Sequence, residues 1–120
     1  MAITDFGISQ LGSFILGSTV VFPGSMAFGA GSSVFVGSHA YLNSEFLRKP
    51  IAWEWNGTDP RGTVVFGEAD ANGSFFGELG ITNNSTSNGS TMWSRDISAI
   101  GSKSAAFALE VIFETRIRRL

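Results

Sequence analysis

The sequence contains no cysteine and only one histidine, His39. Without cysteine the chain can form neither disulfides nor thiolate ligands, and a single imidazole cannot build a His-rich metal site. None of the serines lies in the GxSxG turn that exposes a hydrolase nucleophile. We therefore expect no cofactor and no metal, and we interpret His39 as a surface or capping residue rather than a catalytic one.

The chain is also poor in charge. Charged residues make up 15% of it, against a usual share of about 25%. The formal net charge is −2, so the chain lacks the basic character of a general nucleic-acid binder. Arg116, Arg118 and Arg119 form a small basic end, which we interpret as a solvated strand terminus rather than a binding patch.

Long apolar runs are missing too, because glycine and serine interrupt every hydrophobic stretch within a few residues. No stretch approaches the roughly 20 residues that cross a bilayer. The N-terminus lacks a basic region followed by an apolar run and a cleavage site. We therefore expect no membrane partner and no export through a signal-peptide route.

Aromatic residues are abundant by contrast. Hydrophobic residues reach 43%, and the 120 residues include 11 Phe and 3 Trp. This length predicts a single domain over residues 1–120. Few charges combined with many aromatics favour apolar surface that faces a partner over the alternative, deep packing within a compact monomer.

Hydrophobic spacing predicts one helix and several strands. Ile3 to Leu16 shows helical spacing, with Thr4 or Asp5 as the cap. Alternation and short apolar runs predict the strands, joined by turns at 23–24, 56–62 and 70–73. They cover Val20–Phe22, Met26–Phe28, Ile51–Trp55, Thr63–Ala69, Phe75–Ile81, Thr91–Ile97 and Phe107–Ile117. The pattern is typical of a mainly β fold, a small antiparallel β-sandwich or barrel-like domain with a short N-terminal helix.

Two segments resemble ligand loops without completing the pattern. The glycine-rich bend at residues 29–33 lacks the GxxxxGK[ST] spacing of a phosphate loop, and we interpret it as a turn between strands. Glu68 to Glu78 approximates a calcium-binding loop through Glu68, Asp70 and Asn72. Its closing acid, Glu78, comes one residue early, which favours a tight inter-strand turn.

The hairpin around residues 82–91 is the most unusual segment. Its loop contains only Thr, Asn, Ser and Gly, and it is flanked by Phe75-Phe76 and Met92-Trp93. A catalytic loop usually carries a His, an acid or a Cys, so we interpret this one as a spacer or contact arm. Phe75 is assigned to the core face with Leu79 and Ile81. The interface candidates are Phe76, the preferred one, with Met92 and Trp93.

Two Glu/Arg pairs are structural candidates. Glu45 and Arg48 lie three residues apart in a segment that we interpret as turn-like or helical, and Glu78 and Arg95 flank the polar loop at comparable distances. If the hairpin pairs in register, Glu78 and Arg95 approach each other and a partly buried ion pair would specify that register.

Several short motifs, in this order, resemble a known family. They are the apolar, glycine-bounded Met26–Gly31, the spacing Leu42-x-x-Glu45-x-x-Arg48, Asn72–Ile81, and the segment Met92–Ile97. The chain is similar to small virion proteins of tailed bacteriophages, in particular the particle-attached N-terminal domain of tail-collar fibre proteins. It departs from the family's Gly-Thr-Gly with Phe-Gly-Ala-Gly, and the family usually continues into a long fibre.

The resemblance implies a non-enzymatic structural protein of the tail, baseplate, collar, neck or capsid. Such a protein is made in the host cytoplasm and ends in the virion. Its partners would be further copies of itself and other phage structural proteins. An alternative from another class is a carbohydrate- or peptide-binding β-sandwich that uses Trp53, Trp55 or Trp93 as a stacking platform. An enzyme using His39 and a glutamate is the least favoured hypothesis, because no reactive constellation converges in the sequence.

Overall fold

A computed structural model of the chain describes residues 2–20, 22–31, 33–34, 36–38, 42–83 and 92–114. One helix and eight strands lie in these ranges. In chain order they are β1 (Ala2–Ile3), α1 (Asp5–Ile15), β2 (Ser25–Gly29), β3 (Glu45–Pro50), β4 (Ala52–Asn56), β5 (Asp59–Phe66), β6 (Phe75–Thr82), β7 (Ser94–Ser102) and β8 (Leu109–Glu114).

The strands form two antiparallel sheets. A five-stranded sheet has the order β1-β7-β6-β2-β3, and a three-stranded sheet has the order β4-β5-β8. The core between them takes Phe28 and Phe76 from the first sheet and Val64 and Phe66 from the second. The predicted mainly β class, with antiparallel sheets and a short N-terminal helix, is confirmed.

The helix α1 begins where the sequence predicts. The Thr4 hydroxyl accepts a hydrogen bond from the Gly7 N–H at 3.0 Å, which satisfies one of the unpaired donors of the first turn. The same hydroxyl donates to the carbonyl of Met92. A Cβ at Gly7 would collide with the carbonyl oxygen of Trp93, so glycine lets α1 lie directly on the start of β7.

Three phenylalanines, Phe28, Phe66 and Phe76, fill one end of the space between the sheets. Their rings meet edge to face, with centroid separations of 4.9, 5.5 and 5.2 Å, a favourable geometry for aromatic pairs. We call this group the phenylalanine cluster. It is fully buried and closes that end of the domain.

The assignment of the adjacent phenylalanines is the main correction in the fold. Phe75 is 44% exposed, whereas Phe76 is 1% exposed and belongs to the core with Leu79 and Ile81. The register between β6 and β7 shifts between Phe76 and Glu78. Such an irregularity interrupts the strict alternation of side chains along a strand, so counting in steps of two from Ile81 selects the wrong phenylalanine.

Several element boundaries also differ from the prediction. The turn predicted over residues 56–62 is confined to Gly57 and Thr58, and β5 already begins at Asp59. Val20 and Phe22 lie outside any strand. The final strand turns the predicted side chains inward, because Leu109, Val111 and Phe113 pack against the core. Its predicted end, the basic residues after it and the loop at 84–91 lie outside the described residues.

Candidate functional site

A cleft of about 600 Å³ opens between the two sheets, at the end opposite the phenylalanine cluster. We call it the tryptophan cleft because it contains all three tryptophans of the chain. Its lining is mostly apolar and comes from both sheets, α1 and the segment before β2. The residues are Ile3, Leu11, Phe22, Pro23, Trp53, Glu54, Trp55, Pro60, Ile81, Trp93, Ser94 and Phe113.

The edge strand β4 supplies two of the tryptophans. The Trp53 indole donates to the carbonyl of Pro23 at 3.0 Å and meets the ring of Phe113 edge to face at 6.2 Å, so its orientation is held on two sides. Trp55 is 74% exposed. Successive side chains of a strand point to opposite faces, yet Trp53, Glu54 and Trp55 all line the cleft. The cleft therefore reaches the edge of β4.

Trp93 forms the opposite wall. It packs against the core and meets Phe6 of α1 edge to face, with ring centroids 6.5 Å apart. Its backbone N–H donates to the carbonyl of Ile81 at 2.7 Å. Its indole Nε1 is buried and has no acceptor among the described residues. Buried donors are normally paired, so this indole N–H is an exception within the described part of the chain.

The cleft carries little charge. Glu54 is the only titratable residue in its lining. The Glu54 carboxylate lies 3.5 Å from the Arg61 guanidinium, and both side chains are partly exposed. One solvated, ion-paired carboxylate does not make the pair of acid and base that proton-transfer catalysis needs. The arrangement is suited to binding by apolar contact.

The structure separates the three interface candidates. Phe76 lies in the phenylalanine cluster, and Met92 is fully buried with Ala27 and Leu42 in a second, smaller cluster. Neither side chain is available to a partner in the folded chain, so the preference for Phe76 is wrong. Of the three candidates, Trp93 alone reaches the cleft.

Phe22 and Leu11 line the cleft but were not predicted as site residues. Their position depends on packing between distant segments, which leaves no local sequence pattern.

Both structural ion pairs are formed, but Glu45 and Arg48 lie on strand β3 rather than in the turn-like or helical segment predicted for them. Arg48 Nε contacts Glu45 Oε2 at 2.7 Å, and Arg95 Nη2 contacts Glu78 Oε1 at 3.1 Å, with all four side chains buried. Glu78 pairs with Ile97 across the strands, and Arg95 pairs with Gly80. The second ion pair is therefore diagonal across β6 and β7.

The Glu78 carboxylate has a complete set of donors, which we call the Glu78 cradle. Its Oε2 accepts from the N–H groups of Gly31 and Ser44, and its Oε1 accepts from the N–H of Asn43, each at 2.8 Å. Both Nε and Nη2 of Arg95 also donate to Oε1. A buried charge satisfied in this way is stable in place and is not free to react.

The cradle explains the glycines of the motif that carries the family resemblance. A Cβ at Gly31 would overlap Glu78 Oε2, and a Cβ at Gly29 would lie 2.8 Å from the same oxygen. Glu45, from the next motif, pairs with Gly29 across β2 and β3. Motif residues that are far apart in the sequence thus meet at one buried polar cluster.

The loop compared with a calcium site holds an ammonium group instead. Lys103 is 2% exposed, and its Nζ donates to Asn72 Oδ1 at 2.8 Å and to the carbonyls of Glu68 and Ser104 at 3.3 Å. The predicted closing acid, Glu78, lies in its cradle. No group of three or more His, Cys, Asp or Glu side chains that could hold a metal occurs within the described residues.

Asp70, in the same loop, accepts from the Gly67 N–H at 2.9 Å and lies 3.4 Å from Lys49 Nζ. The Gly67 hydrogen bond, and then the Lys49 charge, hold the pKa of Asp70 below its ordinary value of 3.8. His39, the candidate base of the enzyme hypothesis, lies outside the described residues.

Comparison of the chain with protein-family models, with curated proteins and with solved structures finds no match. The short helix found in the described ranges is neither long nor apolar enough to cross a bilayer.

Proposed function

We propose that the protein is a non-enzymatic assembly module of a tailed-phage particle, and that the tryptophan cleft binds an extended apolar segment of a neighbouring structural protein. The observation that carries the binding role is the cleft itself, in which three tryptophans surround open volume. Aromatic residues that line a pocket are typical anchors of protein interfaces. The particle is suggested by the family resemblance, whose motif residues meet at the Glu78 cradle.

The chemistry of the cleft favours a peptide segment. The apolar lining excludes strongly charged ligands, which would lose their hydration without compensation. The cleft also reaches the outer edge of β4, which no strand within the described ranges pairs. An extended chain can satisfy such an edge by adding as a strand.

A carbohydrate is the second candidate, favoured by the exposed indole of Trp55. Sugars combine stacking on an aromatic ring with hydrogen bonds to their hydroxyls. The lining offers the Glu54 carboxylate for those bonds. Hydroxyls buried without partners carry a free-energy penalty, so a largely apolar cleft suits a peptide better than a sugar.

The test uses the intrinsic fluorescence of the chain, because all three tryptophans line the cleft. A capped hexapeptide of alternating valine and serine serves as the probe, with cellohexaose as the sugar probe. We expect the peptide to shift tryptophan emission to shorter wavelength in a saturable manner. In a ¹⁵N spectrum the Trp93 indole resonance should move, while the Trp53 resonance, already bonded to Pro23, should move less.

Matched variants locate the binding. Trp55→Ala should weaken peptide binding by at least about tenfold, as loss of an anchor residue does. Ile112→Ala truncates a side chain that is also half exposed, on β8 but outside the cleft, and should leave affinity unchanged. Saturable binding of cellohexaose with no peptide response would replace the proposal with the carbohydrate candidate. No response to either probe would overturn the binding role of the cleft.

A further inference from the structure

One flank of α1 carries an apolar stripe that the described part of the chain leaves uncovered. Ile8, Leu11, Gly12 and Ile15 occupy positions i, i+3, i+4 and i+7, which place them on one side of a helix. Ile8, Leu11 and Ile15 are 56%, 49% and 81% exposed. We call these four residues the α1 stripe. A row of this kind, along a helix that buries only Gly7, is typical of a protein contact surface.

Gly12 lies in the middle of the stripe, and nothing in the described ranges requires glycine at this position. A Cβ at Gly12 would meet no atom within 4 Å, unlike one at Gly7. Glycine in a helix interior is less favourable than alanine, so the fold of one chain would gain from a larger residue here. The absent side chain leaves a notch that lets another backbone approach closely.

The stripe is self-complementary about its own centre. Ile8 and Ile15 are equally distant from the midpoint between residues 11 and 12. When two such helices lie antiparallel across a two-fold axis at that midpoint, Ile8 meets Ile15 of the second copy. Leu11 then meets Gly12 of the second copy, a large side chain facing a notch, and the contact occurs twice. An interface in which residue i meets j and j meets i is what two-fold symmetry requires.

Charge also favours a second copy over other apolar partners. Asp5 is the only Asp, Glu, Lys or Arg before Glu45. The stripe therefore has no cation to attract an anionic lipid surface or a phosphate backbone. In the antiparallel arrangement Asp5 has no counterpart on the second helix, because α1 ends at Ile15, so two identical helices meet without like-charge repulsion.

The available area is adequate. Six exposed apolar side chains lie on or beside the stripe: Ile8, Leu11, Phe14, Ile15, Leu16 and Phe22. Phe14 and Phe22 alone expose on the order of 200–350 Å², taking roughly 150–250 Å² for each aromatic side chain, and the four aliphatic side chains add to this area. A stable interface of standard size buries about 800 Å² on each partner.

We infer that two copies of the chain associate through the α1 stripe, antiparallel about a two-fold axis between residues 11 and 12. The pairing gives the assembly module a defined dimer. Leu11 also lines the tryptophan cleft, whereas Ile8, Gly12 and Ile15 do not, so variants at these three positions leave the lining of the cleft unchanged.

The solution mass of the full chain, measured by light scattering, tests the dimer. The wild type should show twice the 12.8 kDa mass of one chain. Ile8→Lys/Ile15→Lys places lysines opposite each other and should give a monomer. Ile8→Lys/Ile15→Glu places each lysine opposite a glutamate of the second copy and should restore the dimer, more weakly at high salt. Gly12→Leu, which fills the notch, should weaken association at least about tenfold.

Two controls distinguish loss of the dimer from misfolding and from loss of binding at the tryptophan cleft. All variants should keep the circular dichroism spectrum of the wild type, because the changed positions are solvent-facing. The double-lysine variant should still bind the valine–serine hexapeptide if the cleft functions as proposed. A monomeric wild type at about millimolar concentration, or a dimer that persists in the double-lysine variant, would overturn the inference. Failure of the lysine–glutamate variant to recover the dimer would overturn the antiparallel register, since a parallel pair places identical residues together.

Discussion

The space between the two sheets is filled at one end and open at the other. At the closed end, the phenylalanine cluster brings three rings into direct contact. At the other end, three tryptophans line about 600 Å³ of cleft. Aromatic side chains thus serve two purposes in one small domain, and composition alone cannot distinguish them.

Two buried polar groups show a similar contrast. The Glu78 cradle satisfies a buried carboxylate with three backbone N–H groups and an arginine. At the cleft, the Trp93 indole N–H is buried and has no acceptor among the described residues. Complete pairing is the usual state of buried polar groups, so the Trp93 donor is the exception and the Glu78 carboxylate follows the rule.

The largest expected effect comes from the closed end. Phe76→Ala should lower the free energy of unfolding by about 3–5 kcal/mol, because it removes a fully buried ring from a packed cluster. Phe75→Ala is the matched control and should cost less than about 1 kcal/mol, since that ring is half exposed. Urea unfolding of both variants measures the difference. Equal losses would contradict the assignment of Phe76 to the core.

Breaking the Glu78 cradle should have the next largest effect. Glu78→Gln leaves the Arg95 guanidinium buried without a counter-charge and should cost about 3 kcal/mol. Glu54→Gln, in a solvated ion pair at the cleft, should cost less than about 1 kcal/mol. A double-mutant cycle with Arg95→Gln, followed by urea unfolding, should give a coupling energy of about 1–3 kcal/mol. A coupling energy near zero would mean that the pair does not act as a unit.

The open end should tolerate truncation. Trp55→Ala should change the free energy of unfolding by less than about 1 kcal/mol, because most of its indole already faces solvent. Thermal unfolding checks this directly. A loss comparable to that of Phe76→Ala would indicate that Trp55 packs as core and that the cleft closes in solution.

The smallest effect concerns pH. The pKa of Asp70 is lowered in the folded chain, so its contribution to stability is present above the ordinary value and is lost as pH falls through the folded value. Asp70→Asn should therefore reduce the melting temperature slightly at about pH 7, and the difference should shrink at about pH 3. A difference that grows on acidification would contradict the stabilising role of the charged form.

Elements set by local sequence could be predicted. The Thr4 cap depends on neighbouring residues, and the alternation in β8 depends on one strand alone. The pairing of Glu78 with Arg95 follows from their places on the two arms of one hairpin. Each of these features needs only the pattern within a short segment.

Features set by distant contacts could not be predicted. The register shift beside Phe76 depends on how β7 meets β6, and the alternation of one strand contains no sign of it. The cleft depends on β4 facing Phe22 and α1 across the domain. The donors to Glu78 come from a loop more than thirty residues earlier in the chain. Sequence patterns indicated that the tryptophans and the charged pairs have structural or binding roles. They did not indicate which residues from distant segments contact one another.

Lys103 binds the 68–72 loop through its ammonium group, and this contact affects how the loop responds to dissolved ions. Lys103 supplies, through a covalently attached ammonium group, the positive charge that a comparable oxygen-lined loop would draw from dissolved calcium. Because that cation is encoded in the chain, its local concentration is the same in every medium. The loop should therefore keep one conformation whether the surroundings are rich in divalent ions or stripped of them by a chelator.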